Sequence, residues 1–279
     1  MVEMREKKVT VFFDFEAWWE APYRGRFDIE RITRQILEVL DKNRISATFN
    51  TCGVVAKFFP ELVGEVHSRG HEISCHGNRH ENFAQLSRAK ANSALDSAEN
   101  EIRKATGHKP EGIRFPWMFS TELSYIVAKE RGYKWASNYH VPLPEAFGRP
   151  DYHSSSYSLA RMLFYVKEKF SEKKPFLKNG LVEIPVLSSS DGELLSLVSP
   201  EQDSGRDFLN YSLRTWKRQF LHSGEYFNLN FHPWLIGSGN RIKLLSDILA
   251  FINEKKRDKN VVFVKGIEIA EKSLRQVKA

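Results

Sequence analysis

The sequence predicts an α/β fold, a single (β/α) barrel that uses the whole chain. Short apolar segments typical of buried strands alternate with longer segments whose apolar residues recur at helical spacing, the pattern of parallel βαβ units. About seven or eight strands occur in 279 residues, a length that suits one barrel better than two separate domains. No internal repeat or low-complexity segment divides the chain. We therefore predict one domain over residues 1–279.

The first half of the chain predicts a series of strand–helix steps. A buried strand is predicted over 9–15 (VTVFFDF), and an amphipathic helix over 28–43 follows it with Asp28 as its N-cap. The segments ISATFN, HEISCH and EGIRFP predict the next three strands. The helices between these strands are predicted over 59–70 and from about 87 to 106, each closed by a glycine.

The second half keeps this alternation apart from one irregular segment. A helix within STELSYIVAKERG has Ser120 or Thr121 as its N-cap and stops at Gly132, before the strand YKWAS. Prolines and a serine run then predict an irregular insertion at about 138–180. The alternation resumes with the strands LVEIPVL, YFNLNF and VVFVK, separated by helices at about 206–222 and 240–255.

Composition is typical of a soluble globular protein, with 41% hydrophobic and 28% charged residues. No apolar run approaches the roughly 18 residues of a transmembrane helix, and the N-terminal MVEMREKKVT lacks the apolar core of a secretory signal. We expect a cytoplasmic protein on this basis. Two cysteines cannot form a disulfide framework, so Cys52 and Cys75 are expected to be small buried residues at strand ends.

The net charge of +7 and the pI near 9.3 are compatible with an acidic partner, such as an anionic membrane surface or a phosphorylated carrier. The basic residues are mixed with acids on helical faces, which is typical of a solvated surface. No stripe of Arg and Lys interleaved with aromatic residues occurs, and no nucleic-acid-binding motif is present. The sequence therefore predicts no nucleic-acid partner.

Polar side chains stand at the ends of four predicted strands. The first strand ends FFDFE, which places Asp14 and Glu16 on one face because side chains alternate along a strand. The other three strand ends carry, in chain order, His76 with His80, Arg114, and His232. In a barrel these strand ends meet at one face of the molecule, which is where barrel active sites lie.

This set has the chemistry of a hydrolytic metal centre. Zn²⁺ binds histidine nitrogens and carboxylate oxygens, and catalytic zinc sites keep one coordination position open. His76 and His80 are four residues apart in a turn-forming segment, so both rings could reach one ion. One acid would then be a ligand and the other a general base held by Arg114, while His232 could protonate a leaving group.

Each of these features taken singly also has an ordinary structural explanation. A His-x₃-His pair is common by chance, an acidic pair can be a surface salt bridge, and a single histidine before proline can be a core residue. Their joint occurrence at strand ends is what favours a site. The other six histidines are interpreted as structural: His67, His71, His108, His140, His153 and His222.

The order FFDFE, GHEISCHGNRH, GIRFPWMFS, LVEIPV and FNLNFHPW resembles the polysaccharide deacetylases of the NodB-homology group, carbohydrate esterase family 4. It looks most similar to the branch with an Asp-x-Glu first motif and a His-Pro-Trp last motif, over roughly residues 9–265. The resemblance implies a distorted (β/α)7 barrel and a divalent metal, commonly zinc, that activates water. It implies removal of an N-acyl group, acetyl or formyl, from an amino sugar of a glycan or glycolipid precursor.

The resemblance also implies roles for individual residues. His76 and His80 would be metal ligands, Arg114 would orient the general base, and His232 would be the general acid. Of the two acids, Asp14 aligns with the base and Glu16 with the ligand, and the opposite assignment stays open. The aromatic residues implied to bind the sugar are Trp18, Phe115, Trp117 and Trp234.

The chain departs from the family pattern at several positions. Phe15 separates two acids that are adjacent in most members, and Gly77 stands where Ser or Thr usually follows the first histidine. An aspartate that partners the acidic histidine has no clear match, because Asn138 occupies the expected position. Glu183 and Asp191 are the two alternatives.

Two other functions are compatible with the same sequence. An amidohydrolase of a small non-sugar amide, similar to allantoinase, would need a closed pocket, which the insertion at about 138–180 could cover. A catalytically degenerate barrel that only binds glycan would hold no metal. The basic charge and the absence of a signal fit a substrate linked to a lipid phosphate at a membrane face.

Overall fold

A computed structural model describes residues 6–16, 28–140, 173–195, 206–256 and 260–278. Trp18 and most of the predicted insertion at about 138–180 lie outside these ranges. Within them, one sheet contains the strands β1 (Lys7–Phe15), β2 (Thr48–Thr51), β3 (Glu72–Cys75), β4 (Gly112–Ile113), β5 (Trp135–Ala136), β6 (Phe176–Lys178), β7 (Leu181–Glu183), β8 (Tyr226–Phe231) and β9 (Val261–Phe263).

The sheet is curled and mostly parallel. Its strands lie in the order β6-β7-β5-β4-β3-β2-β1-β8, with β9 beside the start of β1, and β6–β7 is the antiparallel pair. The path has two ends, so the described strands form a half-barrel rather than a closed ring. The side chain of Asn228 in β8 spans the gap, since it accepts a hydrogen bond from Leu187 N at 2.7 Å and donates one to Pro185 O at 3.0 Å.

The helices pack mainly against the outer face of this sheet. Those described are α1 (Ile29–Asn43), α2 (Gly53–Phe58), α3 (Pro60–Ser68), α4 (Arg88–Thr106), α5 (Glu122–Glu130), α6 (Asp191–Leu195), α7 (Arg206–His222), α8 (Pro233–Ile236), α9 (Arg241–Glu254) and α10 (Gly266–Lys278). The predicted N-cap Asp28 is confirmed, because its side chain accepts from Arg31 N. Thr121 is the N-cap of α5, within a capping box.

The alternation of β1 divides its side chains between two apolar regions. Phe13 and Phe15 belong to the large core between sheet and helices, whereas Phe12 belongs to a smaller cluster inside the barrel. Phe12 stacks on Trp135 with ring centroids 5.8 Å apart. Asp14 shares the face of Phe12, so its carboxylate lies above an apolar floor at the carboxyl ends of the strands.

Two further predictions concern the thiols and the membrane. Cys52 and Cys75 are free and buried beside the ends of β2 and β3, as the sequence predicts. Among the described residues, no helix combines the length and the apolar character needed to cross a membrane.

Candidate active site

Three side chains predicted as metal ligands meet at one point. Glu16 follows β1, and His76 and His80 follow β3. One carboxylate oxygen of Glu16 lies 2.5 Å from His80 Nε2 and 3.5 Å from His76 Nε2. Their ligand atoms all lie within 4.8 Å of one another. Two imidazole nitrogens and one carboxylate oxygen form a donor set that fits a divalent ion such as Zn²⁺ and leaves coordination positions for water and substrate.

The loop after β3 folds tightly enough to turn both rings toward Glu16. Gly77 and His80 have φ angles of 72° and 62°, in the left-handed region that favours glycine. The Glu81 side chain accepts a hydrogen bond from Asn78 N at 2.9 Å and thereby closes the turn. His76 Nδ1 donates to Arg114 O at 2.7 Å, which leaves Nε2 free to face Glu16.

Asp14 has different partners from Glu16 although the two residues share a strand face. Its Oδ1 accepts hydrogen bonds from Asn50 Nδ2 at 2.7 Å and from Arg114 Nη1 at 3.1 Å. Arg114 is fully buried and is anchored on Ser137, both at the carbonyl (3.0 Å) and at the hydroxyl (2.8 Å). Burial opposes ionisation of Asp14, but the Arg114 guanidinium, the nearby His76 and His232 and the Asn50 hydrogen bond together outweigh burial, so the pKa of Asp14 lies below its usual value.

The same balance applies to Glu16. Burial would raise the pKa of this carboxyl, but its contacts with His76 and His80 hold the pKa well below its usual range. Trp234 Nε1 also donates to Glu16 Oε1 at 3.2 Å. The two acids therefore have different surroundings: Glu16 contacts the nitrogens of His76 and His80, whereas Asp14 is paired with the buried Arg114 guanidinium.

His232 approaches from β8 on the opposite side. Its Nε2 lies 4.0 Å from Asp14 Oδ2, and its Nδ1 donates to Asp191 Oδ1 at 2.6 Å. The other oxygen of Asp191 accepts from His232 N at 2.8 Å. Burial disfavours the imidazolium, but the adjacent Asp191 carboxylate outweighs burial and raises the pKa of His232 to about 10.

Asp191 is thus the partner of His232, and the alternative Glu183 is wrong. Glu183 is buried at the end of β7, where it accepts from the backbone N–H groups of Asn138 (2.5 Å) and Tyr139 (2.6 Å). Asn138 in turn accepts from Phe115 N at 2.7 Å. These bonds fix the backbone after β5, and they leave Glu183 no carboxylate oxygen for His232 because Tyr125 Oη donates to the second one.

The described residues enclose a cleft of about 800 Å³ around these groups. Trp117 and Phe119 are each 52% exposed at the cleft, and Trp234 also lines it. Phe115 does not line it: this ring is fully buried and packs on Phe83 at 4.9 Å, because the chain turns after Arg114 and directs it into the core. The prediction that Phe115 binds sugar is therefore wrong, and Trp18 lies outside the described residues.

The cleft also contains polar residues that the sequence predictions missed. His140, interpreted from the sequence as structural, lines the cleft with its Nε2 3.6 Å from Glu193 Oε1. Ser190, Glu193 and Asn230 line it as well. The pattern Ser190-x-x-Glu193 is a capping box, which in the sequence predicts that a helix begins at Asp191.

Sequence comparison supports the resemblance. The polysaccharide deacetylase family model matches residues 2–136. The peptidoglycan-N-acetylmuramic acid deacetylase PdaA of Bacillus subtilis is 29% identical over 46% of this chain and 46% of its own length. A peptidoglycan deacetylase of Helicobacter pylori is 23% identical over 51% of this chain and 55% of its own length. A peptidoglycan-N-acetylglucosamine deacetylase of Bacillus cereus is 30% identical over 37% of this chain and 40% of its own length.

Solved structures extend the likeness to the whole chain at the level of fold. A candidate polysaccharide deacetylase from Mycobacterium smegmatis superposes with a TM-score of 0.74 at 20% identity, covering 99% of this chain and 93% of that one. PuuE allantoinase superposes with a TM-score of 0.67 at 14% identity, covering 97% of this chain and 91% of the allantoinase chain. A carbohydrate esterase family 4 pseudoenzyme from Bacillus anthracis superposes with a TM-score of 0.57 at 14% identity, covering 96% of this chain and 66% of the pseudoenzyme chain.

The chain spans about half the length of the curated relatives it matches. Its architecture is the curled half-barrel of NodB-like deacetylases, as predicted. Together, the family model and the named deacetylases support membership of the polysaccharide deacetylase family.

Proposed function

We propose that the protein is a metal-dependent hydrolase that removes an acetyl or formyl group from the nitrogen of an amino sugar. The observation that carries this proposal is the grouping of Glu16, His76 and His80 within 4.8 Å, with Asp14 and His232 lining the same cleft. The named relatives, which deacetylate peptidoglycan or chitooligosaccharides, support the choice of substrate class.

The residues of the cleft divide the hydrolysis between them. A divalent metal bound by Glu16, His76 and His80 would polarise the acyl oxygen and lower the pKa of water. Asp14 accepts the proton of the attacking water, held in place by Arg114 on the side away from the cleft. As the water oxygen bonds to the acyl carbon and the C–N bond breaks, His232 donates a proton to the leaving nitrogen. The products are a carboxylate and a free amine.

The rim suits a sugar ring. Trp117 and Phe119 are exposed aromatic rings at the cleft, and flat apolar faces pack on the C–H surfaces of sugars. Trp117 also contacts His80, with ring centroids 4.2 Å apart, so a sugar that lies on Trp117 is brought close to the ligand cluster.

The direct test is metal analysis and acetate release. The protein loaded with Zn²⁺ or Co²⁺ is assayed on N-acetylglucosamine oligomers, and His76→Ala is expected to lose both the bound metal and the activity. The exposed His222, replaced in the control His222→Ala, lies on α7 and should leave both unchanged. Full activity of His76→Ala would disprove the mechanism.

The same preparation separates the two alternatives. Hydrolysis of allantoin in place of sugar oligomers would indicate the small-amide function, and a metal-free protein that binds oligomers would indicate a glycan-binding barrel. A glycolipid precursor as the substrate, a cytoplasmic location and the Asp-x-Glu branch remain parts of the proposal, supported by the net charge of +7 and by the motifs FFDFE and FHPW.

A further inference from the structure

A second pair of polar side chains lines the cleft apart from the residues of the proposed mechanism. His140 lies beyond β5 and Glu193 lies in the first turn of α6. Their side chains are 29% and 34% exposed, and His140 Nε2 lies 3.6 Å from Glu193 Oε1. This distance is too long for a hydrogen bond, so the facing atoms of both side chains can bind a ligand.

Glu193 has one oxygen in use and one oxygen toward the cleft. Its Oε2 accepts from Ser190 N at 2.7 Å and from Ser190 Oγ at 3.2 Å, while Ser190 Oγ accepts from Glu193 N at 3.1 Å. This capping box fixes the side chain and leaves Oε1 facing His140. Burial opposes the charge, but His140 and Ser190 keep the pKa of Glu193 below its usual value, so the group is an anion.

The pair lies on the side of the cleft that receives the leaving group. Gly192 precedes Glu193, and a Cβ at Gly192 would lie 3.4 Å from His232 Cε1. Since His232 protonates the leaving nitrogen in the proposed mechanism, the sugar carbon that carries this nitrogen would lie near His232 and the adjoining Gly192–Glu193 segment. A group on the neighbouring ring carbon would then point toward Glu193.

We propose that Glu193, with His140 beside it, is a specificity-determining residue that binds the free hydroxyl on the ring carbon next to the acylamino group. This inference rests on the proposed function. It assigns N-acylglucosamine residues as substrates. It excludes N-acylmuramic acid, which carries at that carbon a lactyl ether ending in a carboxylate. The ether replaces the hydroxyl that would donate a hydrogen bond to Glu193, and the carboxylate of the lactyl group repels the Glu193 carboxylate.

The named relatives make this distinction consequential, because they include deacetylases of both sugars. The experiment uses the metal-loaded full chain and a glycan strand of alternating N-acetylglucosamine and N-acetylmuramic acid. After digestion, mass spectrometry shows which sugar has lost acetyl. We expect loss from glucosamine and none from muramic acid. Loss from both sugars at similar rates, or from muramic acid alone, would overturn the specificity assignment while the proposed function stands. Loss from neither sugar, together with no acetate release from N-acetylglucosamine oligomers, would count against the proposed function itself.

The variant Glu193→Gln tests the negative charge alone, because glutamine is neutral, has the same size and can keep the capping box. We expect kcat/KM on N-acetylglucosamine oligomers to fall about tenfold, the effect of one hydrogen bond to a charged group, and release from muramic acid to become measurable. Glu193→Asp keeps the charge and should still exclude muramic acid. Glu122→Gln, at the first turn of α5, is the matched control and should change neither quantity. An unchanged sugar preference in Glu193→Gln would contradict the inference.

Discussion

Asp14 and Glu16 are two residues apart on one strand face, yet their neighbours give them different chemistry. Glu16 lies between two histidine nitrogens, where a cation would replace the present contacts, whereas Asp14 lies on Arg114 and Asn50. Two acids with such separate surroundings can take different roles in one reaction, one as a ligand and one as a base. His232 Nε2 lies 4.0 Å from Asp14 Oδ2, so the base and the acid of the proposed mechanism would face the same substrate group.

Asp191 is expected to set the alkaline limit of activity. His232 must be protonated to act as the acid, and the Asp191 carboxylate is what overcomes burial and raises its pKa to about 10. The change Asp191→Asn removes that charge, so the pKa of His232 falls and the alkaline limb of the kcat profile moves to lower pH. At a pH above the lowered pKa of His232, the loss in kcat should reach about 100-fold or more, the usual contribution of a general acid.

A pH–rate profile of both forms checks this expectation. The control Asp247→Asn changes a surface acid that pairs with Lys243 at 2.7 Å on α9, and its profile should match the wild type. An alkaline limb at the same pH in Asp191→Asn would mean that His232 is not the titrating acid.

Gly77 is expected to affect metal affinity, because its left-handed backbone conformation and the closely packed side chains around it leave no room for a larger residue. Its φ is 72°, and a Cβ there would lie 2.9 Å from Glu81 Oε2 and 3.1 Å from the Phe83 ring. Gly77→Ala should therefore cost about 1–3 kcal/mol of stability and displace His76 and His80. Chelator competition should show weaker zinc binding.

Gly107→Ala is the matched control for this change. Gly107 has a similar φ of 78° at the C-terminus of α4, and a Cβ added at this position would have no described atom within 4 Å. It should lose a comparable amount of stability through backbone strain alone and keep full zinc affinity. Equal zinc affinities in the two variants would show that the loop does not position the ligands.

At the scale of secondary structure, α5 supports the site from behind. Tyr125 on this helix donates to Glu183 at 2.8 Å, and Glu183 holds the backbone of Asn138 and Tyr139 at the cleft. The start of α5 is fixed by the capping box of Thr121 and Ser124. The cap at Thr121 thus helps to position α5, and α5 in turn helps to hold the backbone of Asn138 and Tyr139 at the cleft.

Thr121→Ala removes the capping oxygen that accepts from Ser124 N. The free energy of unfolding should fall by about 1 kcal/mol, measured by chemical denaturation. Ser93→Ala, at an exposed interior position of α4, should leave stability unchanged or slightly higher, since alanine is the better helix former. A Thr121→Ala protein as stable as Ser93→Ala would show that the cap contributes nothing.

Elements with strong apolar periodicity were predictable, and those held by long-range contacts were not. The strand over 226–231 and the helix over 206–222 were predicted at their observed bounds. The prediction did not include α2, α6 or β6, which are short. It also missed α10, although this helix of 13 residues has apolar residues at helical spacing. The partner of His232 could not be fixed from the sequence, since Asp191 reaches it only after the half-barrel curls and brings together residues 41 positions apart.

At the scale of the whole molecule, the two ends of the half-barrel have opposite characters. The carboxyl ends of the strands open into the cleft, whereas α10 covers the other end. There Glu72 is half-buried and accepts from Ile267 N at 3.0 Å and Trp135 Nε1 at 2.9 Å. In the proposed function, substrate would therefore enter the barrel at the end where the predicted ligands lie.

His71, at this closed end, is expected to make the stability of the molecule depend on pH. The ring is 3% exposed, packs near Phe49 and accepts a hydrogen bond from Ala47 N at 3.1 Å. Burial lowers the pKa of His71 to about 4. The unfolded chain binds a proton at His71 more tightly than the folded chain does. The contribution of His71 to the free energy of unfolding is therefore complete above pH 6.5 and is lost as the pH falls from 6.5 toward 4, by about 3 kcal/mol in all.

Comparison with His71→Asn separates this effect from that of other titrating groups. Asparagine can accept the Ala47 hydrogen bond but does not titrate. It also loses the packing of the buried imidazole ring on Phe49, so the variant should be less stable than the wild type at pH 7. That difference should shrink as the pH is lowered to 4.5, because only the wild type loses stability through His71. Chemical denaturation at several pH values measures it, with the exposed His222→Gln as the control whose difference from the wild type stays constant. A constant difference for His71→Asn would mean that His71 binds its proton equally well in the folded and the unfolded chain, and the linkage would be disproved.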